Sequence, residues 1–427
     1  MRHIFILGSK GIPARYGGFE TFVDQLTARR RSPELRYHVA CLDTKNRETE
    51  HNGARCFHVA VPKIGPARAV LYDVLALRRT IRYIRKNGLT DCAIYLLACR
   101  IGPFLPLCKR QLEKLGVPLC VNPDGQEWKR SKWNAAIKRY WKLSERLTIK
   151  HADRVICDSR AIEGFIREEY SAYRPVTEYI SYGADRTPSR LPDDADSLLL
   201  WMNLHRLKRS GFYLMVGRFV PENNYELVIR EFMQSSSKRD LVIISNVEHN
   251  SFYEAIRKRT GFESDPRIKF VGTVYDQELL KKIRETAYGY IHGHEVGGTN
   301  PSLLEALAAT KVNLLLKVVF NLEVGGDGAV YFKANEGSLR NLIHGMDAMN
   351  ESFVHYLQHK AKQRIADEYD WDSIVHQYEQ YFHQPFTENA KEKEASLLER
   401  NFAGRRKRDE AVPADEVRVE ATAADLR

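Results

Sequence analysis

The sequence predicts an α/β protein built from two doubly wound parallel-sheet domains that face one another. Three observations carry this. Short apolar runs alternate with amphipathic stretches of helical period along most of the 427 residues, a pattern that buries a parallel sheet beneath helices on both faces. The alternation breaks at RTPSRLPDDADS (186 to 197), which is rich in proline and aspartate and has no periodicity. The length itself exceeds one ordinary core and suits two domains.

In chain order, HIFIL (3 to 7) is a strand, GSKGIPARYGG a glycine-rich loop and FETFVDQLTARR a helix. YHVACLD (37 to 43) and CFHVAVP (56 to 62) read as strands, and residues 68 to 88 as a long amphipathic helix stopped at Gly88. AIYLLA (93 to 98), PLCVNPDG (118 to 125), HADRVICDS (151 to 159) and EYISYGAD (178 to 185) complete a first domain over residues 1–185, followed by a linker over 186–210. A second series opens at GFYLMVGRFVPENNYELVIREFM (211 to 233). It continues through RDLVIISN, RIKFVGTV, QELLKKIRETA, YGYIHGH and VNLLLK, giving a second domain over 211–365. A last helix around DWDSIVHQYEQYF closes 366–383, and the charged, alanine-rich residues 384–427, with GRRKRDE near their middle, read as a disordered tail.

Hydrophobic content of 43% is enough to bury a core along most of such a chain, which excludes global disorder. The net charge of +11 favours an anionic partner: nucleic acid, a phosphate-bearing small molecule or an acidic membrane face. No recognition-helix, RNP or zinc-finger pattern is present, so nucleic acid is not expected. The seven cysteines are odd in number and form no C-x-x-C pair, which reads as reduced core thiols in a cytoplasmic protein. The apolar start is too short for a signal peptide, and no run reaches the about eighteen apolar residues of a membrane span. Work at a membrane would therefore take place on its surface.

Ligands of open parallel sheets bind beyond the carboxyl ends of strands, where loops lead into helices, and the suggestive motifs of this chain sit at such loops. In HGHEVGGTNPSLLEALA (292 to 308), Gly297 and Gly298 permit close backbone approach, while Thr299, Asn300, Pro301 and Ser302 suit a helix start. A helix start exposes unpaired amides and partial positive charge, and so attracts phosphate. Glu305 lies within reach of a sugar hydroxyl on the same ligand; phosphate on the amides and ribose on the acid make a nucleotide site, and a capped helix with a solvent-facing glutamate is the plain alternative. GSKGIPARYGGFET (8 to 21) repeats the logic with Lys10 and Arg15, out of register with a dinucleotide fingerprint. Arg218 follows a strand directly and suits a diphosphate leaving group, against a surface salt bridge. Asp124, in VNPDGQEW, suits an acceptor hydroxyl, against an Asp-Gly turn. His292 and His294 lack the partners a metal needs. Residues 127 to 150 interleave Lys and Arg with Trp133, Tyr140 and Trp141, which suits an anionic lipid surface or, equally, a solvated helix with its aromatics packed inward.

Taken in order, GSKGIPARYGGFET, NPDGQEWKRSKW, HADRVICDS, ISYGAD, VGRFVPENN and HGHEVGGTNPSLLEALA resemble the GT-B glycosyltransferases of the retaining family 4 type, and within them the bacterial β-1,4-rhamnosyltransferase-like subgroup of capsule and cell-wall synthesis. The resemblance covers about residues 3 to 383. It implies two Rossmann-like domains, the first for an acceptor and the second for a nucleotide sugar, with the closing helix packed back on the first. It further implies dTDP-L-rhamnose as donor, a saccharide on a polyprenyl diphosphate as acceptor at the inner face of the plasma membrane, and neither metal nor other cofactor. Arg218, Glu305 and Asp124 are the catalytic candidates, and Gly17, Gly18, Glu20, Asn223, Glu295, Gly297, Gly298, Thr299, Asn300 and Ser302 the substrate-binding ones. The broad family's second glutamate would fall at Gly297 and its lysine in the stretch Pro221, Glu222, Asn223, Asn224, which leaves the diphosphate to Arg218 and the amides of 298 to 302. The same fold with another nucleotide-sugar donor is the nearest alternative, and a membrane-binding module without catalysis lies outside the enzymes.

Overall fold

The computed structural model describes residues 1–14, 17–65, 67–248 and 250–386. Arg15 and Tyr16 of the first glycine-rich loop, and the expected tail from residue 387 onward, lie outside the described residues. Met1–His383 pack as one unit around two sheets.

The first sheet contains β1 (Arg2–Leu7), β2 (Leu35–Asp43), β3 (Arg47–His51), β4 (Ala54–Ala60), β5 (Cys92–Leu97), β6 (Leu119–Asn122), β7 (Arg154–Cys157) and β8 (Thr177–Tyr179). Their spatial order is β3-β4-β2-β1-β5-β6-β7-β8, and the ladders are parallel except for the β3–β4 hairpin. The second sheet contains β9 (Phe212–Val216), β10 (Asp240–Ile244), β11 (Ile268–Phe270), β12 (Gly289–His292), β13 (Val312–Leu316) and β14 (Val330–Phe332), parallel throughout in the order β11-β10-β9-β12-β13-β14. Central strands such as β5, CAIYLL, are buried at every position, as a strand covered by helices on both faces must be. The two-domain, doubly wound architecture read from the sequence is the one the chain adopts.

Some elements escape the sequence pattern for physical reasons. β3, RETEH, is a charged, exposed edge strand, and charge at an edge is how sheets avoid pairing with other chains. Its turn through Asn52 and Gly53 takes positive φ at both residues (51° and 69°), the geometry of a tight hairpin. Within 186–210, Asp196–Leu204 forms a helix; DSLLLWMNL is apolar nearly all round, so it shows no amphipathic period, and Leu200 and Leu204 remain 71% and 72% exposed.

In both sheets the chain winds outward from a central strand, then returns to wind the other way. The reversals fall between β1 and β5 and between β9 and β12. The loops that leave the carboxyl ends of these strands border the crevices where open sheets take ligands.

Helix Trp371–His383 packs on the first sheet. Tyr378 and Phe382 sit against Tyr95 with ring centroids 5.9 and 5.7 Å away, and Tyr378 also meets Phe22 at 4.9 Å. Glu379, 4% exposed, accepts from the amides of Arg31 (2.8 Å) and Ser32 (3.1 Å), which lie just beyond helix Gly18–Ala28. Glu379→Ala leaves both amides without that acceptor and is expected to lower the urea midpoint by the equivalent of about 1–3 kcal/mol; an unchanged midpoint would show that the carboxylate does not hold this junction.

Candidate functional site

Three polar loops converge where the halves meet. After β9 come Gly217 to Asn224, after β12 Gly293 to Asn300, and after β6 Pro123 to Gln126. The first two are locked together: Asn224 Nδ2 donates to the Gly293 carbonyl (2.9 Å), the Glu295 amide to the Glu222 carbonyl (3.0 Å), and His294 Nδ1 meets Asn223 Oδ1 at 2.6 Å. Asn223 also donates to the Arg218 carbonyl at 2.7 Å, so its side chain braces both loops and keeps one of its two amide hydrogens. Burial, with Arg130 and Arg218 nearby, holds His294 down at about 4; it is neutral at pH 7 and donates from Nδ1 to Asn223.

Asn300 caps helix Pro301–Ala309, its Oδ1 accepting from the Ser302 amide at 2.9 Å, with Pro301 in the first turn. The hydroxyls of Ser302 and Thr299 are engaged within the protein. Ser302 donates to the Val216 carbonyl (3.2 Å), and Thr299 to the Asp158 carbonyl (2.6 Å). The amides of Gly298, Thr299 and Asn300 donate to no group among the described residues. Arg218, on the loop after β9, is exposed and close enough to act electrostatically on His294 of the loop after β12, and its guanidinium forms no ion pair or hydrogen bond among the described residues. An unpaired cation on one loop and a row of free amides at the helix start on the next are the features that an anion-binding site at a sheet's reversal point requires.

Glu305 stands one turn inside this helix. Its Oε2 binds Arg284 Nη2 at 2.6 Å; the arginine side chain is 4% exposed and the glutamate 40%. Arg284, on helix Gln277–Thr286, thereby aims the carboxylate and leaves part of it facing solvent. Arg284 carries no signal in one dimension, because an arginine on an amphipathic helix reads as a solvated face. The partnership changes what substitution means: Glu305→Ala would strand a buried arginine at a cost of about 3–5 kcal/mol, so Glu305→Gln is the cleaner probe.

The first half supplies acids and close backbone contacts. Asp124 takes a left-handed φ of 59° just before Gly125, and burial raises its pKa, with Arg130 opposing. A side chain at Gly125 would meet the Gly297 Cα at 2.2 Å, and one at Gly298 would meet Asp158 Oδ1 at 2.1 Å. The two halves thus touch through glycine backbone. Polar ties surround the contact. Glu222 accepts from the amide (2.7 Å) and hydroxyl (2.8 Å) of Ser131, and Glu323 caps helix Arg160–Glu169 from the other half by accepting from the Arg160 amide (2.7 Å) and the Ser159 hydroxyl (2.9 Å).

Gly17, at φ 128°, begins helix Gly18–Ala28, and Gly18 lies near Pro301 of the second half. Glu20 is buried and accepts from the Lys10 amide at 2.7 Å, so it shapes this loop from within. Glu295 keeps an exposed side chain on the rim. Arg100, unmarked by the sequence pattern, binds the Gly8 carbonyl (2.7 Å) and Asp73 (3.0 Å) behind the same loop.

The aromatics of residues 127 to 150 are turned largely toward protein. Trp133 Nε1 donates to Glu127 (2.9 Å), Trp128 Nε1 to Glu145 (3.1 Å) and Tyr140 to the Arg100 carbonyl (2.8 Å). This is the inward-packed alternative for those rings. His292 is buried, and no group of metal-ligating side chains occurs among the described residues. All seven cysteines are buried and free. No helix among the described residues is long and apolar enough to cross a membrane.

A family model described as "Domain of unknown function (DUF1972)" matches residues 1–185. No curated protein matches in sequence. Among solved structures, the chain is similar to sucrose-phosphate synthase from Thermosynechococcus elongatus, with a TM-score of 0.71 and 16% identity over 90% of this chain and 99% of that one. It is similar to Anabaena HepE in complex with UDP, with a TM-score of 0.62 and 12% identity over 89% and 99%. It also resembles a glycosyltransferase from Rickettsia africae, with a TM-score of 0.66 and 10% identity over 89% and 97%. The fold is therefore GT-B: two Rossmann-like domains, each carrying a parallel sheet wound on both faces.

The glycine contact lends itself to a paired test. Gly298→Ala forces a methyl into Asp158 and is expected to lower the melting temperature, whereas Gly164→Ala, inside a helix with open space around it, is expected to raise it slightly. Equal melting shifts in the two variants would show that the halves are not pressed together at Gly298.

Proposed function

We propose that this chain is a retaining glycosyltransferase that moves L-rhamnose from dTDP-L-rhamnose onto a saccharide carried by a polyprenyl diphosphate, at the cytoplasmic face of a bacterial plasma membrane. The observation that carries the reading is the anion seat at the β9–β12 reversal, where the loop with the unpaired Arg218 is hydrogen-bonded to the loop that ends in the free amides of 298 to 300. The motifs named above support the sugar and the acceptor. Residues 1–185 form the acceptor domain and 211–365 the donor domain, with 186–210 linking them and 366–383 closing the molecule. The basic segment of 127 to 150, which includes helix Ala135–His151, faces anionic lipid with its lysines and arginines.

In this reading Arg218 and the amides bind the diphosphate, Glu305 accepts from the ribose hydroxyls, and the loop at Gly17 and Gly18 places the acceptor. As the sugar–phosphate bond breaks, charge grows on the departing oxygen, where Arg218 and the helix start stabilise it. The acceptor hydroxyl attacks from the same face and its proton passes to that departing oxygen, so no metal and no enzyme nucleophile are required. Asp124 orients the acceptor hydroxyl. A uridine nucleotide sugar is the second donor, because HepE, of like fold, is known with UDP and UDP-glucose.

Arg218→Ala is expected to lower turnover by about 10²–10³-fold, and Glu305→Gln to weaken nucleotide binding without unfolding the chain. A thermal titration with dTDP, UDP, GDP and NAD checks the ligand class first, since saturation at about 100 times the dissociation constant stabilises the fold by about 2.7 kcal/mol. Selective stabilisation by dTDP supports the rhamnosyl donor; selective stabilisation by UDP replaces it with the second donor. No response to any nucleotide, or near-normal turnover in both variants, would sink the site.

A further inference from the structure

Asp158 differs from every other acid at the junction. It follows β7 directly, is 4% exposed, and its Oδ1 accepts no hydrogen bond. That oxygen is aimed at the backbone of Gly298, in the turn whose free amides start helix Pro301–Ala309. The same turn is fastened to it from the other side, because the buried Thr299 hydroxyl donates to the Asp158 carbonyl at 2.6 Å and Ser181 reaches Thr299 at 3.3 Å.

The groups facing Asp158 come from five directions. They are the carboxylates of Asp124, beyond β6, and Glu323, on helix Val319–Gly325, and the hydroxyls of Tyr182, beyond β8, Tyr95, on β5, and Tyr378, on helix Trp371–His383. None of these is a cation, and no ion pair includes Asp158 among the described residues. Arg130 and Arg100 act on Asp124. Burial first, then the two neighbouring carboxylates, push the Asp158 carboxyl up to about 8, against hydrogen bonds from its own backbone amide and the Tyr182 hydroxyl. The chemistry of the turn points the same way: amides arranged to receive an anion gain nothing from a fixed carboxylate beside it.

We infer that Asp158 is a proton-carrying positioning residue of the anion seat, which as a neutral acid lets the turn at 297 to 299 hold a nucleoside diphosphate and as a carboxylate expels it. This rests on the nucleotide-sugar reading above and adds to it a pH-dependent grip on the donor. Asp158 does not touch the reacting bond; it acts through Gly298 and Thr299.

The experiment uses the full chain, Asp158→Asn as the permanently neutral isostere, and Asp124→Asn, which removes one facing carboxylate. Without ligand, melting temperatures are taken from pH 5 to 9. An aspartate with a raised folded-state pKa contributes fully below its unfolded value of about 3.9. Its contribution declines as pH climbs through the folded-state value. The native chain is therefore expected to lose stability relative to Asp158→Asn between pH 5 and 8, with the difference levelling above; in Asp124→Asn the levelling is expected at lower pH. A constant difference between the native chain and Asp158→Asn overturns the bound proton.

With ligand, dissociation constants for dTDP and UDP are measured at pH 7.5 and 9, where the diphosphate is already fully ionised. The native chain is expected to weaken several-fold, and Asp158→Asn to hold its affinity. Equal weakening in both overturns the role at the seat. Absence of binding by all three proteins at both pH values overturns the nucleotide reading instead, and the melting comparison still decides whether Asp158 holds its proton.

Discussion

The arrangement depends on one steric constraint: two backbones must come within van der Waals reach at Gly125, Gly297 and Gly298. Side chains there would separate the sheets before any hydrogen bond across the junction formed. Because they are absent, Ser131 reaches Glu222, Thr299 reaches the Asp158 carbonyl, and Glu323 reaches the start of helix Arg160–Glu169. The hydrogen bonds add direction to an approach that the glycines permit. Each bond alone contributes about 0.5–1.5 kcal/mol, more for the ionised acceptors, so the junction is held by their number.

Charge is divided unevenly across that contact. The second half brings a cation and a helix start, and the first half brings Asp124 and Asp158, both with pKa values raised by burial. An anion between them would complement one side and be opposed by the other unless the acids carry protons. Arg284 shows a different solution one turn further along the same helix, where a buried cation fixes the direction of Glu305. Buried charge sets direction at Glu305, while buried neutrality protects the neighbouring turn.

The alternation of strands and helices was readable in the sequence because fully buried parallel strands make dense apolar runs, as in CAIYLL and VNLLL. β3 and helix Asp196–Leu204 were not, since a charged edge and a helix without a polar face carry no period. The loops at Gly217 to Asn224 and Gly293 to Asn300 were legible through glycine and capping residues, and Asn300 does cap its helix. The division of labour inside them was not. Asn223, Thr299 and Ser302 look equally available in one dimension, but their polar atoms are engaged by Arg218, Asp158 and Val216. Asp158 and Arg284 are silent in one dimension because an acid after a strand and a basic residue on a helix are ordinary in sequence, and only their burial sets them apart.

Helix Trp371–His383 gives the molecule an order of manufacture. The aromatic surface it covers, including Phe22, Tyr37 and Tyr95, belongs to strands and a helix made within the first hundred residues. A ribosome adding about 5–20 residues per second needs tens of seconds more to supply the cover. During that interval the first sheet stands with greasy rings open to water while the second domain is synthesised. The early half of the nascent chain thus completes its burial only when the latest helix arrives.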